Sequence, residues 1–309
     1  MYEMPQSIGK IIISRLISAK IFLLLAFSVF AAYAKPLVVA SEYPVYDFVS
    51  VIAKDEVSLT LLVLPNSDPH SFEPTPKDVA NIGKADVFFY ISPEYEPWAK
   101  KFVKRAKLSI PVSDEEHHNH ENGKNESKGE EHHDPHVWLD PAEVVEIVEV
   151  IVENLKKILP VKAEFFEKNA NGLISQINSL DAEYKSKFES CKHKKVFYTG
   201  HNAFTEFAKR YGLQITPITQ SFSSTSEPSA KQVANIIDEI RKSKAKIIYY
   251  DAHSSVSVST AKTIAKETQT QTLPLYTVHT TSKDDFAKNV HYIEYMKRNY
   301  ENLAKGLCQ

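Results

Sequence analysis

From Leu37 onward the chain alternates short β-rich runs with helical stretches, and it does so twice. Leu37–Ser41, Val57–Pro65, Val87–Ser92 and Ile110–Ser113 form a first set of runs, with Lys195–Gly200, Leu213–Thr219, Lys246–Asp251 and Leu273–Val278 as a second. Between the early runs, "VYDFVSVIA" and "PKDVANIGKA" carry apolar residues at helical spacing. Strand–helix–strand alternation demands parallel sheets covered by helices. The expected fold is therefore α/β, with two lobes that each hold a mainly parallel four-stranded sheet flanked by helices.

A helical block separates the two sets. Asp140-Pro141 is a good helix start, an N-cap aspartate followed by proline at the first helical position. The helix should stop or kink at Pro160. Beyond it, Val161–Glu189 places Phe166, Leu173, Ile177, Leu180, Tyr184 and Phe188 mostly three, four or seven residues apart. Such a helix would be about 40 Å long and span both lobes as a rigid strut. The organisation read from this is a leader over 1–34, an N-terminal lobe over 35–157, a linking helix over 158–189 and a C-terminal lobe over 190–309.

The leader has Lys10, Arg15 and Lys20, then the apolar run Ile21–Ala32, then "AYA" and Lys35. That order describes a secretory signal cleaved after Ala34. The run is short for a membrane span, so no membrane insertion is expected after cleavage. No cysteine that a lipid would modify lies near that point. Cleavage would leave 34 basic against 38 acidic residues, a net charge of −4. No basic excess remains to attract nucleic acid. Cys191 and Cys308 are the only cysteines. In an oxidising compartment they would form one disulfide, with two free thiols as the alternative.

Residues 114–134 carry five of the 12 histidines, several glutamates and no aliphatic or aromatic side chain. Such a stretch cannot bury surface and reads as a loop suited to loose cation capture. Four other histidines differ in kind. His70 and His136 each end an Asp-Pro-His, His201 follows "YTG" and His279 follows "LYTV". All four come just after expected strand ends, where open α/β sheets bind ligands, and two come from each half. A metal site at the cleft between the lobes is the natural reading. His253 reads as a neighbour of that site or a surface residue, and His193 and His291 as surface residues.

"LPNSDPHSFEPTPKDV", "DPHVWLDP", "YTGHNAFTEFAKRYGL" and "SEPSAKQV", in this order, resemble the ZnuA-type zinc-binding proteins of bacterial ABC importers. These form the cluster A-I metal-binding group of solute-binding proteins. The likeness runs from about Ser41 to the C-terminus. It implies a monomeric periplasmic protein that binds Zn(II) between its lobes and delivers it to a membrane permease, with His70, His136 and His201 as ligands. Relatives that import manganese have a glutamate where His201 stands, and imidazole suits zinc better than carboxylate does. Where much of the family has an aspartate as fourth ligand, this chain has "VHTT", which makes His279 the candidate. Asp284, Asp285, Glu73 or a water are the alternatives. A manganese-binding receptor or metal-dependent adhesin of the same family is the alternative function. A zinc hydrolase is more distant, since His120-Glu121 does not open an H-E-x-x-H helix with Lys124 in the last position. Affinity is expected to fall as pH drops through the ordinary imidazole range.

Overall fold

All eight expected strands form. The computed structural model describes residues 34–113, 135–221 and 227–308. The expected signal segment and the histidine-rich stretch 114–134 fall outside them, apart from Ala34 at the expected cleavage point.

The first sheet contains β1 (Leu37–Ala40), β2 (Ser58–Leu61), β3 (Val87–Tyr90) and β4 (Ser109–Pro111) in the order β2-β1-β3-β4. The second contains β5 (Lys195–Tyr198), β6 (Gln214–Pro217), β7 (Ile247–Asp251) and β8 (Gln271–Leu275) in the equivalent order β6-β5-β7-β8. Every pairing is parallel, with Val38 opposite Leu59 and Val87, and Tyr198 opposite Pro217 and Tyr249. Central strands are buried on both faces, so β3 reads as the unbroken apolar run VFFY, buried at every position.

The helices begin where the sequence supplies caps. Around the first sheet lie α1 (Tyr43–Ala53) and α2 (Pro76–Lys84), the latter opened by a capping box between Thr75 and Asp78. Helix α3 (Pro141–Ile158) starts where Asp140 accepts the Ala142 N–H, and Pro160 interrupts the chain before α4 (Ala163–Ser190). Around the second sheet lie α5 (Thr205–Arg210), α6 (Ala230–Ser243), α7 (Ser255–Thr268), α8 (Lys283–Ala287) and α9 (Tyr292–Leu307). A Ser229–Gln232 capping box opens α6. Among the described residues no helix is long and apolar enough to cross a membrane.

The strut α4 has 28 residues, about 42 Å at 1.5 Å per residue. It buries Phe166, Ala170, Leu173, Ile177, Leu180, Tyr184 and Phe188 along one stripe. That stripe belongs to a single apolar core that continues from Val38 in the first half to Leu307 in the second. Tyr184 stacks on Tyr300 of α9 at 3.9 Å between ring centroids. Helix α9 in turn reaches the first half, because the buried Asp47 of α1 accepts from His291 Nδ1 and the Tyr292 N–H, each at 2.8 Å. His291, its side chain 43% exposed, thus stands at the surface with Nδ1 bonded to the buried Asp47, a partner its sequence context did not indicate. Cys191 and Cys308 form a disulfide that fixes the end of α9 to the end of α4.

Candidate metal centre

His70, His201 and His279 are set by the segments that leave their strands, and His136 by the turn that precedes α3. After β2, Asp68-Pro69-His70 enters a one-turn 3₁₀ helix in which the Asp68 carboxylate accepts the His70 N–H at 3.2 Å. Proline fixes φ and the aspartate fixes the turn, so the His70 ring has little freedom. His136 precedes a second such turn, Val137–Leu139. Trp138 of that turn is wholly buried and donates Nε1–H to Thr277 O at 2.8 Å. One indole therefore ties the His136 segment to the residues leading to His279.

His201 leaves β5 through Gly200, where a Cβ would meet the Tyr198 ring at 2.3 Å. Any side chain here would have to displace the buried Tyr198 ring. His279 follows Val278, a buried β-branched residue with φ of 60°. That left-handed conformation is disfavoured for valine and costs on the order of 1–3 kcal/mol. Local strain thus sits beside one of the four imidazoles.

These segments bring His70, His136, His201 and His279 together, with one ligand nitrogen from each within 4.8 Å of all the others. The Nε2 atoms of His136 and His201 are 3.2 Å apart. The His70 ring centroid lies 5.6, 5.3 and 5.5 Å from those of His136, His201 and His279. Three of the four are buried and His70 is partly so. His70 Nε2 has no hydrogen-bond partner among the described residues. Four convergent imidazoles fit a tetrahedral divalent ion that prefers nitrogen ligands.

The electrostatics favour neutral rings at His70, His201 and His279. Burial, then the neighbouring His136, holds His70 down to about 4. Burial, followed by the surrounding histidines, holds His201 and His279 well below the ordinary imidazole value. Acidic groups stand close behind. Asp251 ends β7 with Oδ2 at 3.7 Å from His201 Nδ1, and burial pushes its carboxyl up to about 7. On the first-half side Tyr95 packs against His70 at 5.5 Å, and Glu42 accepts from its hydroxyl at 3.5 Å. Glu96 accepts from the Ile91 N–H, and burial pushes it up to about 8.

The alternative fourth ligands stand apart from this cluster. Asp285 accepts from Tyr295 and Arg298, and Glu73 and Asp284 are exposed. His253 is partly buried and gives its backbone N–H to Asp251 at 3.0 Å. His193 is exposed. Asp251, Glu42 and Glu96 were not singled out from the sequence. The signal for Asp251 was present, since it closes the run "KIIYYD" at the same sheet edge as the histidines.

Fold and cluster together define a class: a two-halved α/β protein with a buried, all-imidazole centre between parallel sheets. The chain belongs to the ZnuA family, "Zinc-uptake complex component A periplasmic", whose model matches residues 38–306. It is 34% identical over 286 residues to the zinc-binding lipoprotein AdcA of Streptococcus pneumoniae, covering 88% of this chain and 56% of that one. It therefore spans little more than half the length of that relative. It is 35% identical over 281 residues to the high-affinity zinc uptake system protein ZnuA of Bacillus subtilis, covering 87% of each. The crystal structure of the Zn(II)-bound ZnuA-like domain of S. pneumoniae AdcA superposes with a TM-score of 0.73 at 32% identity, covering 88% of this chain and 98% of that one.

Proposed function

We propose that this chain captures Zn(II) outside the cytoplasm and delivers it to the membrane permease of an ABC importer. The observation that carries the reading is the convergence of four imidazoles, two from each half, on one point. His70, His136, His201 and His279 are the ligands. Membership of a zinc-uptake family and the zinc-binding relatives support the choice of metal.

The chemistry runs from the residues. Neutral imidazoles present lone pairs without prior deprotonation, and four of them replace the hydration shell of a borderline-soft ion. Manganese, which favours carboxylate oxygen, gains less from the same set. A shell closed by four protein nitrogens has no position for a reacting water, so the site is that of a carrier and not of a hydrolase. Residues 35–157 and 190–309 serve as the two lobes and 158–189 as the link. The continuous core and the strut resist wide hinge opening, so release is assigned to local movement, with the strained Val278–His279 segment the first candidate. Residues 1–34 direct export to the periplasm and are removed after Ala34, and the histidine-rich stretch recruits or buffers the ion. The mature protein acts as a monomer.

Competitive titration of the metal-free protein with zinc and manganese tests this reading. One tight zinc site per chain, with manganese at least about a hundredfold weaker, is the expected result. Manganese binding as tight as zinc contradicts it.

A further inference from the structure

Strands β5 and β7 are neighbours at the centre of the second sheet, and their connections run to opposite sides, β5 to β6 and β7 to β8. The crevice beyond their C-terminal ends is a topological switch point, the place where such sheets hold ligands. His201 stands on one lip and Asp251 on the other. Asp251 is 1% exposed, its backbone N–H bonds to Ser257 Oγ at 2.8 Å, and its Oδ1 accepts the His253 N–H at 3.0 Å. The turn thus fixes the Asp251 backbone through Ser257 and one carboxylate oxygen through the His253 N–H. Neither Asp251 Oδ2 nor His201 Nδ1, the atom it faces at 3.7 Å, makes a hydrogen bond of normal length among the described residues, and the Thr277 hydroxyl also approaches the Asp251 carboxyl.

A buried polar atom left unpaired costs free energy, and here two complementary ones face each other. A closure of less than about 1 Å would bring them within hydrogen-bond distance. The other His201 nitrogen, Nε2, points to His136 and the centre of the cluster. His201 therefore has one nitrogen for the ion and one for a carboxylate. Histidines that bind metal commonly donate their second N–H in this way, which fixes ring and tautomer and makes the ligand more basic.

We propose that Asp251 is a positioning residue of the metal centre, holding His201 in the Nδ1–H tautomer so that the Nε2 lone pair faces the ion. The inference rests on reading the four imidazoles as the zinc site.

The test is a double-mutant cycle on the full chain, read by zinc competition against a chromogenic chelator. Asp251→Asn should lower zinc affinity by about 10- to 100-fold. In a His201→Ala background the same substitution should change affinity by less than about twofold, because its route to the metal is gone. Equal losses in both backgrounds, or no loss in either, overturn the proposal. A second measurement needs no variant: ¹⁵N NMR of the zinc-loaded chain should place the proton of His201 on Nδ1 and the metal on Nε2. Metal on Nδ1 overturns it. If the unsubstituted chain binds no zinc tightly, the function itself fails, which separates the two failures.

Discussion

His136 Nε2 and His201 Nε2 stand 3.2 Å apart, although one ring follows the last strand of the first half and the other the first strand of the second. Two imidazolium rings could not share that position. The pair therefore forms only if at least one ring is neutral, and burial of the cluster enforces this.

The pH dependence of binding follows from that enforcement and differs from the ordinary imidazole expectation. His70 is held down to about 4, and His201 and His279 are held well below the usual value, by burial first and by one another second. Lowering the pH from about 7.5 to 6 should reduce zinc affinity by less than about tenfold, where four ordinary imidazoles would lose on the order of a hundredfold. Chelator competition at both pH values checks this. The sign for folding is separate. Depressed histidines take up protons first in the unfolded chain, so they withdraw stability from the metal-free protein as pH falls from about 6.5 toward their folded values.

Arg210 joins three elements. Its Nε bonds to Asp181 Oδ1 of the strut at 2.7 Å, and its Nη1 pairs with Asp140 Oδ1, the cap of α3, at 3.0 Å. All three side chains are a quarter exposed or less, which leaves the carboxylates poorly hydrated if the arginine is lost. Arg210→Ala should lower stability by about 2–3 kcal/mol in urea unfolding. Because Asp140 lies four residues after His136, zinc affinity should fall modestly as well.

The disulfide acts on stability without acting on metal. Cys191 and Cys308 close a loop with a sequence separation of 117, at the end of the second half where β5 begins and away from the edge where it releases His201. Replacing both cysteines with serine should destabilise the metal-free protein by about 3–5 kcal/mol, mainly by freeing the unfolded chain. Zinc affinity should change by less than about twofold. Parallel urea unfolding and zinc competition on the same variant check both halves of this expectation.

The eight strands were legible because central parallel strands are apolar where they are buried, as VFFY is throughout and KVFY is after its exposed lysine, and because turns and caps separate them. The histidine positions were legible because each follows a strand end. Asp251 and Glu96 escaped notice because a buried acid looks like any other acid until its neighbours are known. The partner of His291 escaped notice for the same reason, since Asp47 lies 244 residues away. Nor does periodicity show that α9 returns to the first half, because helix spacing names a buried face and not what covers it.

The proposed zinc site consists of four imidazoles. Zinc X-ray absorption on the protein loaded with one equivalent tests it most directly. Four nitrogen ligands at about 2.0 Å with the multiple-scattering signature of histidine are expected, with loss of one imidazole in His279→Ala. A shell with two or more oxygen ligands in the unsubstituted protein, or one that His279→Ala leaves unaltered, would contradict it.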